Sequence, residues 1–463
     1  MQEEGHFVSE SKPVKLWLND QGVNWIVDKI QVSIPYINII GVKKESETDV
    51  EVEKHSTFSL HFIQKPKTND QNHILLRSNK IFSCKGNCAD LIKKITDRCK
   101  QGKAGNLLVI INPIGGCGNA EQIYHDVVKP LFNLAAIETT VMVSDYPKHV
   151  EEMGKKTDFN LYDGIVIMGG DGTLQELMHS LLRRIQKAEG VCLNNPETEL
   201  HSLNIPIGMI PTGTGNGLAG GCYKTKDIVT SVLHIIRGAT RPTNIVSIYE
   251  NDRLVSFASV IIGYGYFLDL TSKTDNMRWL GSLRHPVGLI KSLFSKQRLF
   301  KAEIEYHPAE DTKPHGRAPY RSGTDLKETD LNSEWKKIEP EIMGFNVYPG
   351  VFRCVNESFD FDLSSSGFTL QLEKHTSLWT YFQYLMAMKD FQVEFMEFDF
   401  CDFVMVDAVR IKLTNIGELD KCDIALEHKI HFDGENRTIH TKQFDIRLHK
   451  NLIRVYSSCD STI

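Results

Sequence analysis

Residues 14–84 alternate between short apolar runs and polar turns, a pattern that predicts β-strands. The following stretch, NCADLIKKITDRC, places Leu91, Ile92 and Ile95 on one face and therefore predicts a helix. Seven strands and one closing helix favour a small β-barrel module over residues 1–100. The seven predicted strands are KLWL, NWIV, IQVSI, INIIGV, TFSLHFI, HILL and KIFSC.

After the linker QGKAGN the pattern changes to continuous apolar runs that alternate with amphipathic helices. Unbroken apolar runs are typical of parallel strands that are buried on both faces. Residues 105–240 are therefore predicted to form an α/β domain with a parallel sheet. Its predicted strands are LLVIIN, TTVMVSD, GIVIMG and IPIGMIP, with helices from Ala120 and near 148–156.

From about residue 241 onward, short stretches rich in β-branched and aromatic residues predict strands again. The first of these stretches is NIVSIYE and the last is LIRVYS. We interpret residues 241–460 as a β-rich, antiparallel, sandwich-like domain. Residues 308–339 are polar and rich in turn-forming residues, which predicts a loop.

Composition and charge narrow the class of protein. Of the 463 residues 41% are hydrophobic and 24% are charged, and the net charge is −6, which speaks against nucleic-acid binding. We expect no signal peptide and no transmembrane helix, and hence a cytoplasmic protein with reduced cysteines. Protein partners are not predicted by any motif.

Three glycine-rich turns in the α/β domain carry the candidate chemistry: NPIGGCGN (112–119), GGDGT (169–173) and PTGTGNGLA (211–219). Glycines let the backbone approach a phosphate, and N–H groups at a helix start bind anions. One such turn is ordinary at a strand end, but three at one edge of a parallel sheet favour a nucleotide site. None of them ends in Gly-Lys-Ser/Thr, and the glycine spacing does not match a dinucleotide fingerprint.

Asp171 is the one carboxylate within these turns. It lies among glycines at the start of a predicted helix, where it is suited to accept a proton from a hydroxyl that attacks a phosphorus. The alternative is that Asp171 only caps this helix.

Together with FDGE (432–435), the three turns resemble, in order, the diacylglycerol-kinase catalytic superfamily, which includes sphingosine and ceramide kinases. The resemblance covers roughly residues 105–458. Within the superfamily the stretches KPLFNLAAIETTVMVSD and MRWLGSLRHPVGL are most similar to ceramide kinases, and so is a preceding module that resembles a pleckstrin-homology domain.

The resemblance implies an ATP-dependent lipid kinase whose site lies between a nucleotide domain and a lipid domain. Asp171 would be the general base, and Asp433 would be a second catalytic residue; Mg²⁺ would accompany ATP, with unknown protein ligands. The implied nucleotide contacts are Asn112, Gly115, Gly116, Gly118, Ser144, Gly169, Gly170, Gly172, Thr173, Gly213, Thr214, Gly215, Asn216, Arg278, Arg284 and Glu435.

The implied lipid contacts lie in residues 269–294. Sphingosine kinases carry an acidic residue just after a Gly-aromatic-x-x-Asp stretch, where it meets the substrate's ammonium group. Here the stretch ends at Asp269 and the later position is Thr271, which fits a neutral substrate such as ceramide. The apolar face of a predicted helix adds the candidate lipid contacts Leu280, Leu283, Val287, Ile290 and Phe294.

Two interpretations of that apolar face remain open, a core helix or a lipid gate at a membrane surface. In the second, basic side chains including Arg298 face anionic headgroups and make the protein a peripheral membrane protein.

Other functions also remain open. PTGTGNGLA is more similar to sphingosine and diacylglycerol kinases, and the loop HGRAPYRSGTD lacks the cysteines of vertebrate ceramide kinases. NAD kinases share a GGDGT turn, and a ceramide sensor without catalysis is a further alternative.

Overall fold

A computed structural model of the chain describes residues 3–50, 53–66, 73–116, 118–266, 268–269, 298–309, 329–330, 335–355, 358–389, 396–416 and 428–458.

The N-terminal part is one antiparallel sheet with the strand order β4-β3-β2-β1-β7-β6-β5, followed by a helix. Its elements are β1 (Glu3–Ser9), β2 (Lys12–Leu18), β3 (Gly22–Val27), β4 (Ile30–Pro35), a 3₁₀ turn (Tyr36–Asn38), β5 (Ile39–Val50), β6 (Glu53–Gln64), β7 (Leu76–Lys85) and α1 (Ala89–Lys100). Trp25, Phe58, Phe82 and Ile95 lie in its core.

The predicted count of seven strands is confirmed, but two assignments were wrong. Strand β1 was missed because Phe7 is its one buried large apolar side chain and Val8 is 49% exposed. The run HILL is not a separate strand; its Leu75 is buried because it packs against the next part of the chain. The likeness to a pleckstrin-homology domain stays a prediction.

The α/β prediction is confirmed: four strands pair in parallel in the order β9-β8-β10-β11. The elements are β8 (Asn106–Ile111), α2 (Ala120–Ile123), a π-helical turn (Tyr124–Val128), α3 (Lys129–Leu134), β9 (Glu138–Val143), α4 (His149–Lys156), a 3₁₀ turn (Phe159–Leu161), β10 (Gly164–Gly169), α5 (Asp171–Ala188), β11 (Ile207–Pro211), α6 (Gly217–Tyr223) and α7 (Ile228–Arg237).

The rest of the chain is a β-rich region with antiparallel pairing, as predicted. Its elements are β12 (Thr240–Glu250), β13 (Arg253–Ala258), β14 (Ile262–Gly265), β15 (Leu299–Pro308), β16 (Thr329–Asp330), β17 (Lys336–Ile338), β18 (Glu341–Ile342), β19 (Gly344–Tyr348), β20 (Val351–Val355), β21 (Ser358–Asp362), β22 (Phe368–Glu373), α8 (Leu378–Lys389), β23 (Cys401–Ile416), β24 (Lys429–Phe432), β25 (Glu435–Thr438) and β26 (Gln443–Tyr456).

One expectation about this region was wrong. Residues 329–330 and 336–338 are not loop but strands β16 and β17, which pair with each other. Strand β17 also pairs with Ile304–Tyr306 of β15, because Ile338 buries its side chain there. Residues 310–328 and 331–334 of the same predicted loop lie outside the described residues.

Strand β26 connects the two kinds of sheet. It pairs in parallel with β11 at Ile207 and Val455, and it pairs antiparallel with β12 and β23. The last strand of the chain therefore fixes the parallel strands against the β-rich region.

The N-terminal sheet rests against helices of the α/β part. Thr230 of α7 accepts a hydrogen bond at its Oγ1 from the backbone N–H of Leu75, over 3.0 Å. Gly41 of β5 approaches α3 so closely that a β-carbon there would lie 1.9 Å from the carbonyl oxygen of Leu134. Lys103 of the linker donates to the carbonyl of Ile39. The two parts therefore share a packed interface.

Among the helices that the structure describes, none has the length and apolarity needed to cross a bilayer.

Candidate active site

The three glycine-rich turns follow the carboxyl ends of neighbouring strands β8, β10 and β11. Asn112 in the first turn donates from Nδ2 to Oγ1 of Thr173 in the second, over 2.9 Å. The N–H of Gly213 in the third turn donates to the carbonyl of Gly169, over 3.1 Å. The structure thus brings together the turns that the sequence identified separately.

Glycine is required where these turns touch. A β-carbon at Gly213 would lie 2.2 Å from the Cα of Gly170, and one at Gly116 would lie 2.1 Å from the carbonyl oxygen of Thr212. Such distances exclude any side chain at these positions. The result is a surface of closely spaced backbone groups next to the N-terminus of α5, which suits phosphate oxygens.

Asn216 fixes the shape of the third turn. Its side chain accepts from the N–H of Gly213 over 3.0 Å and donates to the carbonyl of the same residue over 2.8 Å. Asn216 is buried, whereas Thr214 and Gly215 between them are exposed. Asn216 therefore presents Thr214 and Gly215 at the surface of the site.

The structure shows fewer contacts for the other predicted nucleotide-binding residues. Ser144 is buried just after β9, and its N–H donates to the carbonyl of Ile111. Gly115 and Gly118 lie in the first turn, whose Cys117 lies outside the described residues. Arg278 and Arg284 lie outside them as well.

Asp171 begins α5 but caps a different helix. Its carboxylate accepts hydrogen bonds from the backbone N–H groups of Gly217, over 2.9 Å, and Leu218, over 3.2 Å, at the start of α6. Burial raises the pKa of Asp171, and the two N–H groups oppose this shift. The carboxylate is therefore both held in position and made more basic.

Asp433 lies in the turn between β24 and β25 and is almost fully buried. Oδ2 accepts from the N–H and hydroxyl of Ser259, and Oδ1 accepts from the N–H groups of Val260 and Ile261, over 2.7 to 2.9 Å. Burial raises the pKa of Asp433 to about 7, and the negative charge of Asp171 adds to the shift.

The FDGE turn packs directly on the GGDG turn. A β-carbon at Gly172 would lie 3.1 Å from Oε1 of Glu435. Residues that are more than 250 positions apart therefore meet, as the resemblance implied.

The structure adds acidic neighbours that sequence reasoning missed. Burial raises the pKa of Glu176 on α5 to about 7, and the negative charges of Glu435 and Glu151 add to the shift. The segment Ser259–Ile261 was also missed, because it binds Asp433 mainly through backbone N–H groups, which have no sequence signature. Within the described residues, no group of three or more His, Cys, Asp or Glu side chains is arranged to hold a metal.

On the acceptor side, Asp269 forms a buried ion pair with Arg298. Nε and Nη2 of Arg298 donate to the two carboxylate oxygens over 2.8 and 2.6 Å. The guanidinium carbon lies 5.5 Å from the ring centre of Phe300. The expectation that Arg298 faces lipid headgroups was wrong, because the side chain is buried with its charge neutralised.

The other predicted lipid contacts lie outside the described residues. They comprise Thr271, Leu280, Leu283, Val287, Ile290 and Phe294.

Sequence comparisons relate this chain to known proteins. Residues 106–248 match the model of the diacylglycerol kinase catalytic domain. The human ceramide kinase is 29% identical over 70% of this chain and 64% of its own length, and the mouse ceramide kinase is 32% identical over 58% and 51%. The chain thus spans about half to two thirds of the length of these two relatives.

A solved structure of a putative diacylglycerol kinase from Bacillus anthracis str. Sterne aligns with 77% of this chain and 99% of its own, with a TM-score of 0.49 and 15% identity. From the catalytic-domain match and the related sequences, residues 106–248 are similar to the diacylglycerol kinase catalytic domain, and the chain as a whole is similar to the ceramide kinases.

Proposed function

We propose that this protein is a lipid kinase that transfers the γ-phosphate of ATP to the primary hydroxyl of ceramide, giving ceramide 1-phosphate and ADP. The observation that carries the proposal is the position of Asp171. Its carboxylate is fixed by two N–H groups of α6 at the point where the glycine-rich turns meet.

Asp171 acts as the general base. As the hydroxyl oxygen of the acceptor attacks the γ-phosphorus, the bond from that phosphorus to the β–γ bridging oxygen breaks, and the hydroxyl proton moves to Asp171. A pKa raised by burial brings the carboxylate nearer to the working pH, where a general base is most effective.

The glycine-rich turns bind the phosphates of ATP. Backbone N–H groups, together with Thr214 and the α5 N-terminus, compensate the negative charge without a lysine of the P-loop type. Asn112 and Asn216 hold the turns in this shape through their side-chain hydrogen bonds.

A magnesium ion that accompanies ATP would supply positive charge to offset the charge of the phosphates. The carboxylates of Glu435 and Glu176 near Gly172 are hard oxygen ligands and fit such an ion. Asp433 is proposed as a positioning residue, because both of its oxygens already accept two hydrogen bonds from residues 259–261.

A neutral acceptor fits the described part of the lipid side. Both oxygens of Asp269 accept hydrogen bonds from Arg298, so the ion pair as a whole offers no net negative charge to an ammonium group. Thr271 is uncharged. The second candidate, a sphingosine or diacylglycerol kinase, is favoured by the sequence of the third glycine-rich turn, PTGTGNGLA.

The proposal is tested by incubating the protein with γ-labelled ATP, Mg²⁺ and ceramide in detergent micelles. We expect label in ceramide 1-phosphate, and we expect a metal chelator to stop its formation. Binding of ceramide without any transfer would instead support the sensor alternative. We also propose a cytoplasmic location with peripheral attachment to a membrane, where ceramide resides.

A further inference from the structure

Gln175 is a polar side chain that lies fully buried on helix α5, one turn after Asp171. The inner face of an amphipathic helix normally carries apolar side chains, as the buried neighbours Leu174, Leu177 and Met178 do here. A buried amide costs free energy unless its donor and its acceptor both find partners. The partners of Gln175 therefore indicate why this position carries an amide.

The amide of Gln175 connects α5 with two strands of the β-rich region. Its Nε2 donates to Oγ of the buried Ser256 in β13 over 2.7 Å, and its Oε1 accepts from Nη2 of Arg437 in β25 over 3.4 Å. Oγ of Ser256 also lies 3.3 Å from Nδ1 of His179, which is one helical turn further along α5. A connected set of polar side chains thus crosses from the α/β part to the β-rich region.

Both of these strands carry parts of the candidate site next to the contacts with Gln175. Residues 259–261, which directly follow β13, hold the carboxylate of Asp433. Arg437 lies two residues after Glu435 in β25, so the two side chains lie on the same face of that strand. Gln175 is therefore bonded to both of the segments that place the carboxylates of the FDGE turn.

Two contacts fix the position of the β24–β25 hairpin along α5. Glu435 packs against Gly172, and Arg437 is bonded to Gln175, three residues further along the helix. Residues three apart lie on one face of a helix, and alternate residues lie on one face of a strand. A shift of the hairpin along α5 would therefore have to break both contacts.

The phosphate-binding surface is held by other contacts. Asn112 and Asn216 bond the glycine-rich turns, and Gly116 and Gly213 bring their backbones together, without any contribution from Gln175. A change at Gln175 is thus expected to move the hairpin while the turns keep their shape.

We propose that Gln175 is a positioning residue for phosphate transfer: its amide fixes the β24–β25 hairpin, with Asp433, relative to Asp171. The inference rests on the proposed kinase function. A misplacement of about 1 Å in an active site can lower a rate by about 10²-fold. Loss of the Gln175 contacts should therefore lower kcat and leave the binding of ATP nearly unchanged.

The test compares Gln175→Met with Gln186→Met in the full chain, by label transfer from ATP to ceramide in micelles. Methionine has a similar length but a thioether in place of the amide, so it removes both hydrogen bonds. Gln186 is the matched control, because it is fully buried on the same helix and bonds to the backbone of His201 over 2.8 and 2.9 Å. It lies about 16 Å further along the helix axis.

Both variants are expected to lower the melting temperature, since each leaves buried polar groups without a partner. Only Gln175→Met is expected to lower kcat, by about tenfold, with KM for ATP within about twofold of the wild type. Wild-type kcat in Gln175→Met, or an equal loss of kcat in Gln186→Met, would overturn the inference alone. An inactive wild type would overturn the proposed function together with the inference.

Ser256→Ala removes one partner of Gln175 with a smaller change to the core. It is expected to lower kcat in the same direction, and the double variant with Gln175→Met should be no slower than Gln175→Met alone, because both changes remove the same hydrogen bond. Losses of kcat that multiply in the double variant would contradict action through this bond.

Discussion

Among single residues, Asp171 has two roles that a substitution can separate. Its carboxylate caps α6, and it is the proposed base. Asp227 caps α7 in a similar way, since it accepts from the N–H of Thr230 over 2.7 Å, but it lies outside the glycine-rich turns. Comparing the same substitution at Asp171 and at Asp227 therefore distinguishes a loss of catalysis from a loss of helix capping.

Asp171→Asn is expected to lower phosphate transfer by about 10²- to 10⁴-fold, because the amide cannot accept the proton. ATP binding, followed by the fluorescence of a nucleotide analogue, is expected to change by no more than a few-fold. Asp227→Asn is the control and should retain near-normal transfer. Similar activity in both variants would contradict the role of Asp171 as base.

The buried pair Asp269–Arg298 shows where sequence reasoning reaches its limit. The resemblance indicated that Asp269 belongs to the acceptor side, but the identity of its partner depends on tertiary structure. Arg298 follows several basic residues and was therefore interpreted as a surface cation. Its burial against Phe300 could not be recognised from the local sequence, because an arginine next to a strand can place its side chain either in the core or in solvent.

Among the elements, the strands of the parallel sheet were the most predictable, because their apolar runs are unbroken. Leu107–Ile111 and Ile165–Met168 are all essentially buried. Strand β1 could not be predicted, although it lies in the middle of its sheet, because Phe7 is its one buried large apolar side chain. The contact between Asp433 and residues 259–261 could not be predicted either, because it depends on backbone donors.

Helix α8 packs on a buried titratable side chain, that of Glu373, which accepts a hydrogen bond from Tyr381 of the helix. Burial raises the pKa of Glu373 from 4.5 to about 7, although Tyr381 and Asn346 donate hydrogen bonds to it. The native state therefore binds the proton more tightly than the unfolded chain. Its contribution to stability is present at low pH and is lost as the pH rises from about 4.5 to about 7.

Glu373→Gln is expected to remove this loss, since the neutral amide keeps one oxygen to accept from Asn346, and its NH2 group can donate to the hydroxyl of Tyr381. Relative to the wild type, its free energy of unfolding should rise by an amount on the order of 3 kcal/mol at pH 8 and by little near pH 4.5. Urea unfolding at both pH values measures this. Glu341→Gln, at an exposed position of β18, is the control. An equal effect of Glu373→Gln at both pH values would contradict the raised pKa.

For the whole molecule, the N-terminal sheet behaves as part of the folded unit and not as a tethered module. Leu75 and Ile63 are buried in the same apolar core as the parallel strands. The sheet also contacts α3 and α7, two helices that connect parts of the candidate site. Its removal should therefore affect the stability of the α/β part.

Gly41→Val tests this interface without a deletion, because its side chain would collide with the Leu134 carbonyl. We expect a loss of about 1–3 kcal/mol and a lower melting temperature, together with faster proteolysis at residues 101–105. Gly105→Ala is the control, since a β-carbon there would lie 3.4 Å from its nearest neighbour, Oδ2 of Asp163. An unchanged melting temperature and cleavage rate in Gly41→Val would show that the two parts are not coupled.

The central claim is the transfer of phosphate to a neutral sphingolipid. The most direct test measures label transfer from ATP, with Mg²⁺, to ceramide, sphingosine and diacylglycerol in parallel mixed micelles. We predict that kcat/KM for ceramide exceeds that for sphingosine by at least about tenfold, because neither the Asp269–Arg298 pair nor Thr271 offers net negative charge to an amine. We also predict that kcat/KM for ceramide exceeds that for diacylglycerol, a second neutral lipid, in line with the similarity to ceramide kinases. A higher kcat/KM for sphingosine or diacylglycerol would contradict the assignment and would make the third glycine-rich turn the better guide to the substrate.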